Sequence, residues 1–230
     1  MLKLSVPNNI YVGTKTDYVL EVIRSSILIG DILPGTRITE QDVKDSLNVS
    51  FSPIREAFVK LESEGLLTKD NHVGTRVTSI DIENARELYT LQAHLQGIAV
   101  QICSKKLKEE DILEAERLNN EMKKMTGKKV DAKGLRVANY KLHMILCGIN
   151  IYPWLTRLIS GLWILFPSQQ LWLIHGRPNQ SIKHHEKIIS AIKKGNHISA
   201  GNQMRKHLES SMKALYGDVG ETNYFNLSSK

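Results

Sequence analysis

Cysteine is scarce in this chain: Cys103 and Cys147 are the two in 230 residues, far apart and without a CxxC pair. That excludes a disulfide framework and argues against a thiolate zinc site, leaving buried thiols in a reducing cytosol as the expectation. A long uncharged apolar run is also missing. The most apolar stretch, Leu155 to Ile174, contains Arg157, Pro167, Gln169 and Gln170. A membrane span of about 20 residues rarely accepts that set, so the stretch reads as a core helix that breaks near Pro167. The opening MLKLSVPNNI has no apolar run behind its basic residue, so no signal peptide, no membrane partner and a cytoplasmic location are expected. No repeat of 20–50 residues is visible. Paired carboxylates, a nucleophile–base pair and a phosphate-binding glycine loop are lacking too, which leaves most enzyme classes without a starting point.

What remains is an ordinary globular composition, 41% hydrophobic and 24% charged, long enough for two modest domains. The net charge of +7, from 31 Lys/Arg against 24 Asp/Glu, permits a polyanionic partner. Its distribution points away from the N-terminus: residues 1–78 carry nine Lys/Arg against ten Asp/Glu.

Punctuation and periodicity divide the chain near Thr78–Asp81. Leu20, Ile23 and Ile27 repeat at helical spacing behind Thr16 and Asp17, a cap region, and Gly30 with Pro34-Gly35 ends that helix. Thr39 with Asp42 makes a capping box for a second helix facing inward through Val43 and Leu47. Ser52-Pro53 predicts the start of a third helix, lined by Ala57, Phe58 and Leu61 and ended by Gly65. Leu66–Thr68 and Thr75–Thr78, with Asp70, Asn71 and Gly74 between them, suit a β-hairpin. Beyond residue 80 the pattern is helical, over about 81–105, 109–126, 131–148, 152–176, 181–194 and 197–215, and a polar tail occupies 216–230.

Three helices followed by a hairpin is the order of a winged helix-turn-helix, in which the third helix enters the major groove and its first residues reach base edges. Ser50, Ser52 and Arg55 hold that position here, and Thr75 and Arg76 sit at the wing. The same order would also serve a protein-interaction module. The run IRSSILIGDILPGTRITEQDVKDSLNVSFSPIREAFVKLESEGLL, then VGTRV, resembles the DNA-binding domain of the GntR family of transcription regulators. That resemblance implies double-stranded DNA as partner and adds Arg37 to the DNA-facing residues. Phe51 departs from it, standing where the family often has Arg.

The remainder resembles the FadR C-terminal (FCD) type of effector domain, carried by ENARELYTLQAHLQGIAVQIC, NYKLHMILCGINIYPWL and HHEKIISAIKKGNHISAGNQMRKHLESS. The resemblance implies a mainly α protein: a winged helix-turn-helix over 1–78 and an all-α bundle over 79–215 that binds an effector and forms a homodimer. It also implies a divalent transition metal (zinc, nickel or manganese) at Asn139, His143, His185 and His207, with Asn139 where such domains carry Asp. His184 is a rival for the third position. Asn139 and His143 are four apart and share a helix face. A lone histidine is more often a satisfied core or surface residue than a ligand, so it is the family positions that single these out. Gln92 and Gln96 stand where relatives often have Arg and Glu, making Gln92 the effector-binding candidate and weakening the expectation of a carboxylate effector. Trp154, Trp163, Trp172, Phe166 and Tyr152 are expected to pack the bundle. The reading is a ligand-responsive, non-enzymatic regulator that binds a palindromic operator and controls a metabolic operon. The competing reading is a metal-dependent helical enzyme with an attached winged-helix module.

Overall fold

The computed structural model describes residues 13–70, 74–127, 129–165 and 171–217, with positions 2, 4 and 6. Phe166, residues 71–73, where a hairpin turn is expected, and all but the first two residues of the polar tail lie outside the described residues. Three helices come first: α1 (Lys15–Ile29), α2 (Glu40–Leu47) and α3 (Phe51–Ser63). The cap of α1 is Thr14, whose hydroxyl accepts from Asp17 N; Thr16, expected near that cap, instead donates to Glu56 on α3. Thr39 and Asp42 form the expected capping box on α2. The third helix starts earlier than Ser52: Ser50 is its N-cap, so Ser52 and Pro53 both fall in the first turn. Proline is tolerated there because those N–H groups have no intrahelical acceptor.

The wing is an antiparallel pair, β1 (Leu67–Asp70) and β2 (Gly74–Val77), in register Leu67↔Val77 to Asp70↔Gly74. An isolated bridge between Arg37 and Arg76 adds the α1–α2 connection to the wing.

Six helices follow: α4 (Ile82–Cys103), α5 (Glu109–Lys124), α6 (Ala132–Leu146), α7 (Pro153–Ile164), α8 (Arg177–Lys193) and α9 (His197–Tyr216). Two helices differ from expectation by more than two residues at one end. Of the predicted helix over 152–176, the described residues show α7, ending at Ile164, and a 3-10 turn at Leu171–Leu173; the expected break near Pro167 lies outside them. The helix α8 begins four residues early because Gly176 takes a left-handed φ of 75° and Pro178 fits the first turn.

Buried apolar residues form two clusters. One gathers Val19, Ile23, Ile38, Ile54, Leu61 and Val77 under the winged helix; the other gathers Tyr89, Leu118, Leu142, Trp163, Ile188 and Met204 inside the bundle. The helices α4 and α9 cross closely at Gly97 and Gly201, where a Cβ on Gly201 would lie 2.5 Å from the Gly97 carbonyl. Trp163 and Trp172 are buried as expected, whereas Trp154 is 77% exposed, a correction to its predicted packing role. It occupies the first turn of α7, on the outward face. Cys103 and Cys147 are both buried free thiols.

Two side chains of α6 touch the winged-helix part of the chain. Lys133 Nζ, at the start of α6, donates to both Asp31 oxygens at 2.8 and 2.9 Å. One turn on, the Arg136 guanidinium lies on Gly30, where any side chain would collide with it.

Candidate functional site

Three helices bring His143 (α6), His185 (α8) and His207 (α9) together, each at most 3% exposed, with candidate ligand nitrogens all within 4.8 Å of one another. The choice between the adjacent histidines is resolved by burial. His185 lies inside the cluster, while His184 sits at its edge, 3.4 Å from His207 Nδ1.

Two amide relays fix the ring tautomers. The Ile159 carbonyl can only accept, so Gln92 Nε2 donates to it at 3.0 Å, and Gln92 Oε1 is left to accept from Gln96 Nε2 at 2.7 Å. Gln96 Oε1 then accepts from His143 Nδ1–H at 2.7 Å. A second relay starts at the Ile182 carbonyl, which accepts from Asn119 Nδ2 at 3.3 Å, and Asn119 Oδ1 accepts from His185 Nδ1–H at 3.0 Å. With both protons held on Nδ1, the Nε2 atoms of His143 and His185 carry lone pairs, and they face each other at 3.3 Å. Two acceptors so placed repel unless a cation lies between them. The separation matches the edge of a tetrahedral site with Zn–N bonds of about 2.0–2.1 Å. Burial keeps these rings neutral, as ligation requires: it pushes His143 down to about 3 and holds His185 and His207 well below the usual imidazole range.

The rest of the lining lacks negative charge. Asn139, one turn before His143 and 7% exposed, has an Oδ1 with no hydrogen-bond partner among the described residues. Ser181, one turn before His185, has a buried hydroxyl that also lacks a partner among the described residues. Arg177 is 2% exposed; it donates to Gln180 and Ser210 at 2.9 and 3.1 Å and to Ser211, and its Nε has no partner among the described residues. Among the described residues no carboxylate pairs with Arg177, and burial pushes its guanidinium down to about 10. The donor set therefore fits a divalent ion whose charge the protein leaves uncompensated.

The second candidate surface lies between α3 and the wing. Arg37, Glu40, Arg55, Lys69 and Thr75 line one groove of about 480 Å³. Ser50, Ser52 and Arg37 are exposed on this side of the protein. Arg55 is 68% exposed and is held by Glu40 at 2.8 Å. Arg76 turns back, Nη1 donating to the Gly35 carbonyl at 2.9 Å, so it braces the wing on the α1–α2 turn. Phe51 lies between two cations, with Lys44 Nζ at 4.4 Å and Arg55 at 5.7 Å from the ring centre.

Residues 15–77 match the family described as bacterial regulatory proteins, gntR family, and residues 87–210 match the FCD domain. The chain belongs to the gntR family, with an FCD domain. It is a DNA-binding transcription regulator. The enzyme reading falls, because the gntR family and the relatives that follow are regulators and not enzymes. The HTH-type transcriptional regulator YdhC of Bacillus subtilis is 27% identical over 80% of this chain and 84% of its own length. The Uxu operon regulator of Haemophilus influenzae is 28% identical over 85% of this chain and 79% of its own. Among solved structures, E. coli McbR/YncC shares the fold with a TM-score of 0.80 at 19% identity, covering 89% of this chain and 98% of that one. No helix among the described residues is long and apolar enough to cross a membrane.

Sequence reasoning on this gntR regulator picked out the histidines but missed the residues that orient them. Gln96 stands out in the sequence only as a departure from the family pattern and Asn119 carries no motif; their orienting role appears only where a buried amide meets an imidazole. Gln92, expected to contact an effector, has both amide atoms engaged in the relay. Arg177 precedes the matched C-terminal run and went unremarked, although an Arg-Pro pair opening a helix was a signal that could have drawn attention to it.

Proposed function

We propose that this regulator binds a palindromic operator as a homodimer and that its affinity responds to a small anionic effector bound at a divalent metal held by His143, His185 and His207. The observation that carries the metal reading is the pair of Nε2 lone pairs facing each other at 3.3 Å, each set by its own amide relay. Zinc, nickel and manganese are the candidates, imidazole nitrogen suiting the first two best. Asn139 supplies a neutral amide oxygen as a weak or water-mediated fourth group.

Charge supports the choice of effector. Three neutral imidazoles and an amide leave both charges of the ion unbalanced, and buried Arg177 adds a third. Desolvated positive charge on this scale calls for anions, so a carboxylate that occupies an open metal position is the best complement. Arg177 takes over the anion-binding part that Gln92 cannot supply. The helix α6 gives such binding a path to DNA: it carries Asn139 and His143, and its first turns hold the Asp31 and Gly30 contacts. The kinship with the Uxu operon regulator supports a metabolic operon as target.

For DNA, Arg37, Arg55, Thr75 and the N-terminal residues Ser50 and Ser52 of α3 supply the contacts, and Arg76 acts by holding the wing. Two-fold pairing onto a palindrome multiplies what one short helix can read. The direct experiment pairs elemental analysis of untagged protein with anisotropy on operator DNA across salt concentrations. The expected results are about one metal per chain, lost in His143→Ala and His207→Ala, and a loss of about 1–3 kcal/mol in DNA binding for Arg55→Ala. Protein that takes up no zinc, nickel or manganese overturns the metal centre; unchanged DNA affinity in Arg55→Ala and Arg37→Ala overturns this DNA face.

A further inference from the structure

A second cleft, whose lining shares no residue with the histidine cluster, opens between the two apolar clusters. Ile27, Leu33, Leu66 and Val77 line it from the winged helix, Ile164 and Leu173 from the bundle, and its volume is about 540 Å³. One cation lies in this apolar wall. Arg136 is 8% exposed, and its Nε and Nη1 have no hydrogen-bond partner among the described residues. The nearest carboxylate, Asp31, is taken by Lys133 through both oxygens. Burial lowers the Arg136 pKa, and the pull of the Asp31 charge only partly offsets it.

A buried guanidinium with unused N–H groups is costly unless an anion reaches it. The surroundings restrict that anion. The walls are mainly aliphatic, with the Thr78 and Ser79 side chains beside them, so the body of the ligand must be apolar. One arginine balances one negative charge; a phosphate dianion would leave its second charge desolvated. We propose that this cleft is a binding site for a hydrophobic monocarboxylate, its carboxylate on Arg136 and its apolar body between the two clusters. The site is separate from the histidine centre and needs no metal. Because both clusters wall it, an occupant fixes their mutual disposition, and by linkage it changes DNA affinity as DNA changes the affinity for it.

The test uses the full chain, with EDTA present, and three matched probes by titration calorimetry: 4-phenylbutyrate, 4-phenyl-1-butanol and 4-phenylbutylamine. The acid should bind about tenfold or more tightly than the alcohol, as a charge-assisted contact to a buried cation implies, and the amine should bind weakest. Arg136→Met should erase the preference for the acid over the alcohol. Leu33→Glu alters a side chain that is 53% exposed, so the fold should tolerate it. It places a like charge in the cleft and should weaken the acid several-fold, which keeps the proposal testable if Arg136→Met fails to fold. Equal affinity for acid and alcohol, undiminished binding in Leu33→Glu, or binding abolished by EDTA and restored by zinc would each overturn it; the last would put the acid at the histidine centre.

Discussion

Acidifying the chelated protein from pH 7.5 to pH 5.5 should remove about 4 kcal/mol from the stability of the helical bundle. His143, His185 and His207 are 0%, 0% and 3% exposed, and burial keeps each ring neutral, His143 with a pKa of about 3 and the others well below their usual range. In the unfolded chain each returns to about 6.5. The unfolded state thus binds more protons than the folded one, and stability falls as the pH falls. The contribution is complete above pH 6.5 and drains away below it, toward the depressed folded values. At pH 5.5 each ring costs RT ln(1 + 10), about 1.4 kcal/mol, so three cost about 4 kcal/mol. Arg177 and His184, which face the cluster, push in the same direction. Exposed carboxylates stay ionised through this window, so the imidazoles dominate the slope. Urea melts followed by circular dichroism in EDTA, at half-unit pH steps, provide the measurement, and saturating zinc should restore stability by mass action. A loss under about 1 kcal/mol across the window would refute three neutral buried imidazoles.

Four further outcomes are expected. Glu40→Gln frees Arg55 from a surface pair worth about 1 kcal/mol or less, so melts should barely move while anisotropy shows DNA binding tightened a few-fold; weaker binding would mean that Glu40 itself contacts DNA. Asn139→Asp should tighten zinc about tenfold or more in chelator competition, because it supplies a charge that the centre lacks; unchanged affinity would place residue 139 outside the coordination shell. Gly201→Ala should cost about 1–3 kcal/mol in urea melts, since its Cβ would meet the Gly97 backbone carbonyl, and a neutral change would contradict the close crossing of α4 and α9. Limited proteolysis should nick Thr78–Asp81 or the tail first, giving separable units of about 1–78 and 79–215; first cuts inside the bundle would count against that boundary.

The sequence by itself determined the parts that local chemistry dictates. Capping by Thr39 and Asp42, the left-handed Gly30 and Gly65, and the change of period after the hairpin are short-range choices, and each appears where its residues stand. Local signals erred where several served equally well: Thr14 and Thr16 could both cap α1, Ser50 and Ser52 could both open α3, and packing against Glu56 and the preceding turn decided between them. The family pattern named four metal-site positions, but no spacing could say that His185 faces inward and His184 the edge. That depends on how α8 is rotated against α5, α6 and α9. The same holds for the tautomers, which follow from amides on α4 and α5 anchored to carbonyls distant in sequence. Arg136 is the clearest case: in the sequence it is an ordinary helical arginine, and only the docking of α6 onto Gly30 strips its water while leaving Nε and Nη1 without a partner among the described residues. Periodicity and caps are written in neighbouring residues, whereas burial and pairing are properties of surfaces that meet only when the chain is folded.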